Sequence, residues 1–376
     1  MGKRILSVFM IFCMGLSLLP QGTVTFAAET EDVMPLNETH DGYIPWSGSG
    51  LPTAPGNYYL SDDIKIDADN AAGKYDWKPE GNITLCLHGH TITCNAFINM
   101  MSGNVTIDDC GDEEGGIVFK KTGNSSGYSA IQIGYSGAVH LTINGGKFER
   151  NDDRRSTIGV YNGSTLTING GSFTHSKGYA IELNIFDTTL ELSGSPVMDG
   201  GSGDILDATG YGAEQGHINV VGKLSGKYSL CIADLAYQLG YLQEYPFTSS
   251  PDTSFNNLEN FEVFDVDTDN GLFATKAIED KGYATRKNLN SGQLEVIEPY
   301  CTVTYDYQGA DGGDDIKYYY YSENETYYVL PTPTRTGHDF EGWWYTDADG
   351  GTQVKSGDRV EPEEPKEARK RTIYAH

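Results

Sequence analysis

Two short stretches carry the residue types that bind metals or move protons. "DDCGDEE" crowds Asp108, Asp109, Asp112, Glu113 and Glu114 into one run. Hard carboxylate oxygens at that density suit calcium, and paired carboxylates can do acid/base work on a glycosidic bond. The same composition also describes a solvated loop on a very acidic protein. "HGH" puts His88 and His90 on one face of a strand, a possible start to a metal site whose third ligand the sequence does not identify. "ERNDDRR", Glu149 to Arg155, could set a base beside an Arg, but mixed charges in a loop are ordinarily surface ion pairs of little energetic weight. "DGGSGDIL" from Asp199 places Asp204 one position early for a calcium-binding β-roll nonapeptide and occurs once, so it carries no assignment. There is no GxSxG elbow, no motif pairing Cys with His and no phosphate loop.

Aromatic residues are the other chemical signal. "YYYY" at 318–321, Tyr327-Tyr328 and Trp343-Trp344 offer flat rings of the kind that stack on sugars. Tyr319, Tyr321, Tyr328 and Trp344 are the candidates for ligand contact, and Trp343 is assigned to the core. Strand alternation sets a competing demand, because one side of an aromatic strand fills the core while the other covers the sheet.

The elements that must position these residues are announced by a repeat. "LTINGGKF" at 141–148 returns as "LTINGGSF" at 166–173. Related rungs start at Ile83, Val105, Leu190 and Ile218, at successive offsets of 22, 36, 25, 24 and 28 residues. Leu141 and Ile143, Leu166 and Ile168, and Leu190 and Leu192 alternate with polar residues at period two, which predicts strands with one buried face. A second strand precedes the rung in "AIQIG", "TIGVY" and "AIELN". Such a unit cannot bury its apolar side alone, but stacking at about 4.8 Å per coil makes a continuous core. The expected fold is all-β, a right-handed parallel β-helix-like solenoid. Phe148, Phe173 and Val197 are expected to share one interior column. Asn144 and Asn169 are expected to form an amide ladder, with the following Gly pairs making the corners.

The ends of the chain fix compartment and segmentation. A basic head (Lys3, Arg4), an apolar run from Ile5 to Leu19 and small residues near Ala27-Ala28 make residues 1–28 a secretory signal peptide. The chain has 26 Lys and Arg against 53 Asp and Glu, a net charge of −27. Loss of Lys3 and Arg4 with the leader leaves 24 against 53, or −29. That charge repels nucleic acid and anionic membranes, and no segment after the leader is apolar enough to insert into a bilayer. The five remaining cysteines, with no CxxC pair, predict at most one disulfide, Cys94 to Cys110 being the candidate. Residues 29–56 read as a linker or extended lead, 57–234 as the β-helix, and 235–299 as a cap with one short helix in "IADLAYQLGYLQEY".

From Tyr300 the solenoid period stops. "TVTYDYQG", "LPTPTRTGHDFEGWWYTDADGGTQV" and "TIYAH" together resemble the Listeria-Bacteroides repeat, the B-repeat of internalin-type surface proteins, over residues 300–376. The resemblance implies a small β-grasp-like, non-enzymatic module in secreted or envelope-attached bacterial proteins. His338 stands where the family usually has Tyr, and the chain stops one residue before the Trp that normally closes the repeat, so the module reads as truncated. "LCLHGHTI" and "LTINGG" more loosely resemble β-helix segments of Gram-positive surface proteins. These features predict a secreted or cell-envelope protein with a structural, adhesive or spacer role, not an enzyme. Its expected partners are host or cell-wall glycans or proteins, and it needs no cofactor unless the acidic run holds calcium. A β-helix polysaccharide lyase or hydrolase using that acidic run is the alternative.

Overall fold

Alternating apolar residues at a near-constant offset close the chain into three parallel sheets that wind around one core. This is seen in a computed structural model describing residues 40–69, 73–120, 129–151, 155–184, 187–208, 217–235, 239, 244–266, 275–311, 317–348, 350–363 and 369–376. The proposed signal peptide lies outside the described residues, as does half of the expected short helix, whose ends Ile232, Ala233, Glu244 and Tyr245 are strand residues instead. Among the described residues the three sheets hold nine, six and nine strands.

The first sheet contains the repeated rungs. Asn82–Cys86, Asn104–Asp108, His140–Ile143, Thr165–Ile168, Thr189–Gly194 and Ile218–Leu224 pair in parallel. Their register stacks Ile83, Val105, Leu141, Leu166, Leu190 and Ile218 in a single buried column. Each circuit then turns into the second sheet, for example Thr91–Cys94, Gly116–Phe119, Lys147–Arg150 and Ser172–His175. It closes through the third, where Ile131, Ile158, Ile181 and Ile205 stack in the same way. Full burial of each such side chain contributes about 1.5–3 kcal/mol, so the interior columns dominate the stability of the stack.

The corners follow the same logic. Asn169 donates to Asn144 at 2.8 Å, Asn144 donates to Asp108 at 2.6 Å, and the Ser193 hydroxyl donates to Asn169 at 2.6 Å. The expected amide ladder is therefore present and longer than the two asparagines. Gly171, at φ +88°, could not carry a side chain, since a Cβ there would stand 2.8 Å from the Gly146 carbonyl oxygen.

Two expectations need correction. Phe148 and Phe173 do stack, with centroids 5.0 Å apart and planes within 10°, but the residue beside Phe173 is Met198 and not Val197. The turn after Leu192 is one residue longer than its neighbours, so Val197 is displaced outward and is 59% exposed. The lead before residue 57 is also more than a linker, because Ile44–Trp46 pairs in parallel with Gly56–Leu60 and begins the first sheet.

The parallel stack continues past residue 234. Phe261–Val266 pairs in parallel with Tyr228–Ala233, and is covered in turn by the antiparallel strand Thr275–Ala277. A separate antiparallel sheet of Glu244–Pro246, Leu294–Ile297 and Ala284–Lys287 sends Tyr245, Leu294 and Val296 into the solenoid core. Antiparallel pairing thus ends a ladder whose open edge would otherwise recruit further strands.

The C-terminal residues build a second core. Cys301–Asp306 lies between Tyr318–Tyr321, antiparallel, and Lys370–Ala375, parallel, with Trp343–Trp344 and Gln353–Val354 completing the sheet. Trp343 is 1% exposed and its indole N–H donates to the Pro331 carbonyl at 2.7 Å, so the largest core side chain leaves no polar atom unmet. Arg286, 2% exposed, joins the cap to this module. Its guanidinium bonds Glu295 at 2.5 Å, Glu325 at 2.8 and 2.9 Å, and the Tyr320 carbonyl at 2.6 Å.

Candidate metal centre at the first solenoid corner

The "HGH" and "DDCGDEE" stretches occupy the same corner of successive coils. His88 follows Ile83 by the same number of residues as Cys110 follows Val105, and Ile83 pairs with Val105. After Asn82–Cys86 the chain reverses in a tight turn closed by the His90 N–H donating to the Leu87 carbonyl at 2.9 Å. His88 (φ +53°) and Gly89 (φ +76°) are both left-handed, the pattern of a type I′ turn. The next corner lies directly against it, since a Cβ on Gly111 would fall 2.4 Å from the Gly89 nitrogen.

This close stacking carries Cys110 over His88. The Cys110 Sγ lies 3.8 Å from His88 Nδ1 and 3.1 Å from His40 Nε2. His40 arrives from before the first strand, in a turn where the Tyr43 N–H donates to its carbonyl at 3.0 Å. Its ring stacks on Tyr59 with centroids 4.5 Å apart and meets the His88 ring edge-on at 4.5 Å. One donor atom from each of His40, His88 and Cys110 lies within 4.8 Å of the other two. Burial, and then the neighbouring His88, holds the His40 imidazole below its usual pKa, which favours the neutral form with a free lone pair.

The disulfide also sits here. Cys110 is bonded to Cys86, and Cys94 is a buried free thiol, as are Cys231 and Cys301. The expected Cys94–Cys110 bridge is therefore corrected. Cys94 ends a second-sheet strand with its side chain inward, whereas Cys86 and Cys110 flank one corner.

The acidic run does different work. Asp109 accepts from the Gly89 N–H at 2.9 Å and the Gly115 N–H at 2.6 Å, so both its oxygens brace the two stacked turns. Asp108 ends the asparagine ladder, and burial raises its pKa, offset in part by the Asn144 bond. Glu114 accepts from Ser172 at 3.1 Å, while Asp112 and Glu113 face solvent. Among the described residues, none of these carboxylates joins the three-donor cluster. His90 also points elsewhere, its Nδ1 lying 3.5 Å from Asp63.

The 149–155 run is only partly described, since 152–154 lie outside the described residues. Arg155 reaches inward to Glu182 at 2.6 Å, and Glu182 also accepts from Ser156 and Asn184. Burial pushes the Glu182 pKa up against these partners. Glu182 is fully buried on the face of the third sheet opposite the Ile181 column, so the contact is not a surface ion pair.

The aromatic candidates divide by strand phase. Tyr319 and Tyr321 are core residues: the Tyr319 hydroxyl donates to the Lys287 carbonyl at 2.7 Å, and the Tyr321 hydroxyl meets that of Tyr305 at 2.8 Å. They are thus corrected as stacking candidates, and the outward rings on that strand are Tyr318 and Tyr320. Tyr328 is half-buried with its hydroxyl on Glu325. Trp344 is half-buried and stacks on His376 at 4.6 Å. His376 in turn lines a cleft of about 190 Å³ with Tyr307, Arg335, His338 and Phe340.

Sequence reasoning missed His40 and Cys110 as partners of His88. The equal spacing that relates His88 to Cys110 was a usable signal, whereas nothing in the aperiodic lead marked His40. Among the described residues, no helix is long and apolar enough to cross a membrane. No curated protein and no solved structure matches the chain. Residues 301–376 match the family model of the Listeria-Bacteroides repeat domain, a repeat found in surface-associated proteins.

Proposed function

We propose that the chain is a secreted, non-catalytic surface protein in which the β-helix displays the C-terminal repeat for contact with host or cell-wall glycans or proteins. The observation that carries this reading is the match of residues 301–376 to a repeat of surface proteins, seated on a capped solenoid through buried Arg286. The cleft of Tyr307, Arg335, His338 and Phe340 beside the Trp344–His376 stack supplies ring faces and donors for such a contact. The acidic run supports the same reading, because Asp109 is committed to bracing turns.

Incubation of the full chain with purified cell-wall and host polysaccharides tests this. Retention of the protein, weakened by Arg335→Ala and unaffected by Glu113→Ala, with no change in the polymer, is the expected result. New reducing ends or unsaturated sugars would overturn it and point to a lyase or hydrolase instead.

A further inference from the structure

We propose that the Cys86–Cys110 corner is a redox-gated site for a thiophilic divalent cation such as zinc, with His40, His88 and the two cysteine sulfurs as its ligands. In the oxidised chain the two sulfurs are bonded to each other, and a disulfide sulfur is a poor ligand. Reduction places two thiols in a corner already flanked by two imidazoles, a Cys₂His₂ donor set of the kind that holds tetrahedral zinc.

The geometry supports this on three independent counts. The donor atoms of His40, His88 and Cys110 converge within 4.8 Å, and two of the separations are 3.1 and 3.8 Å. Tetrahedral ligands with arms of about 2.0–2.3 Å stand roughly 3.3–3.8 Å apart, so the two imidazoles are close to that spacing from Cys110, while the two sulfurs part once reduction breaks the bond between them. Three of the four ligands come from separate chain positions and are fixed by structure, through a type I′ turn for His88, the stacked Gly89–Gly111 corner for Cys110 and the Tyr59 ring for His40, and Cys86 is placed beside Cys110 by the bond between them. Finally, His88 holds a left-handed backbone that is uncommon for a residue with a side chain, a feature that collects at functional positions.

The chemistry balances with a dithiol as reductant. The dithiol transfers two electrons and two protons to the disulfide, becoming a cyclic disulfide itself and leaving Cys86 and Cys110 as thiols. Binding of the cation then releases the two thiol protons to solvent, and the imidazoles coordinate through ring-nitrogen lone pairs. Exchange with an external disulfide takes two electrons from the two thiolates and two protons from solvent to give a dithiol, re-forms the Cys86–Cys110 bond and expels the cation. The site would thus make cation retention report the redox state of the surroundings.

Cobalt(II) titration of the full chain, oxidised or pre-reduced with a dithiol and freed of reductant, tests this. The reduced chain is expected to take up one cobalt with the absorption of a tetrahedral thiolate complex, and the oxidised chain is not. His40→Ala, which keeps every cysteine, should weaken uptake by tenfold or more, and so should His88→Gly, chosen to suit the left-handed turn. Cys110→Ser, which removes one of the two sulfurs, should weaken uptake by tenfold or more and lower the thiolate band. Equal uptake by the oxidised chain, none by the reduced chain, or uptake indifferent to His40→Ala would each overturn the proposal. The last result would mean that the metal is held without His40.

Discussion

Replacing Arg286 by Met should loosen the C-terminal module from the cap and make its stability depend on pH in a specific direction. Arg286 and Glu295 are each 2% exposed at the side chain, and Glu325 is 9% exposed. Glu244, the fourth partner, is 43% exposed and stays solvated when its contact is lost. Removing one member of a buried charge cluster strands the others, at a cost of about 3–5 kcal/mol. Most of that falls on Glu295 and Glu325. Burial already raises the Glu295 pKa, and Arg286 opposes the rise. Without the guanidinium the folded-state pKa climbs further above the unfolded value of about 4.3. A raised acid is most stable in the fold when protonated, so the variant regains stability as pH falls through that raised pKa. The wild type gains less from the same group, because Arg286 holds back part of the rise in the Glu295 pKa. The gap between the two proteins should therefore be widest near neutrality and narrow in acid. Amide hydrogen exchange at Tyr318–Tyr321 and Cys301–Asp306 reads opening of this module directly, whatever the solenoid does. A gap below about 1 kcal/mol at neutral pH, or one that widens on acidification, would refute the clamp as the source of stability.

Two further predictions concern the solenoid, both measured by urea unfolding. Phe173→Ala should cost about 3–5 kcal/mol, while Val197→Ala should stay within about 0.5 kcal/mol, because Val197 points outward. Similar losses at both positions would mean that the Met198 register is wrong. Asp109→Ala should cost about 1–3 kcal/mol by leaving the Gly89 and Gly115 N–H groups without their acceptor, whereas Glu113→Ala in the same run should be nearly neutral. Equal effects would restore the solvated-loop description of the whole segment.

The solenoid was legible because period-two alternation and coil spacing are both written along the chain. Leu141, Leu166 and Leu190 could be superposed by counting, and the structure superposes them. Counting failed at Val197, where the turn after Leu192 gained a residue and a one-place slip exchanged inside for outside. It failed again at Tyr319 and Tyr321, since alternation tells which rings share a face but not which face is wet. The disulfide was misassigned for a related reason: Cys94 and Cys110 are closer in sequence, but corners one coil apart, and not neighbours along the chain, bring sulfurs together. Half of the candidate metal centre followed the coil spacing, through His88 and Cys110. His40 did not, because its position depends on a turn and a ring stack that no periodic pattern encodes.

The corner ladder that runs from Ser193 through Asn169 and Asn144 to Asp108 has a direction, since each member donates to the one before it. It begins on a hydroxyl and ends on a carboxylate that can only accept, while each interior asparagine offers one donor and one acceptor. Such an interior link is self-complementary. A duplicated copy of the "LTINGG" coil could be spliced between the existing two with every amide satisfied and neither terminus altered, lengthening the molecule by about 4.8 Å per copy. The near-identity of the two phrases is what internal gene duplication would leave behind, and it makes the reach of the protein a quantity that can change one coil at a time.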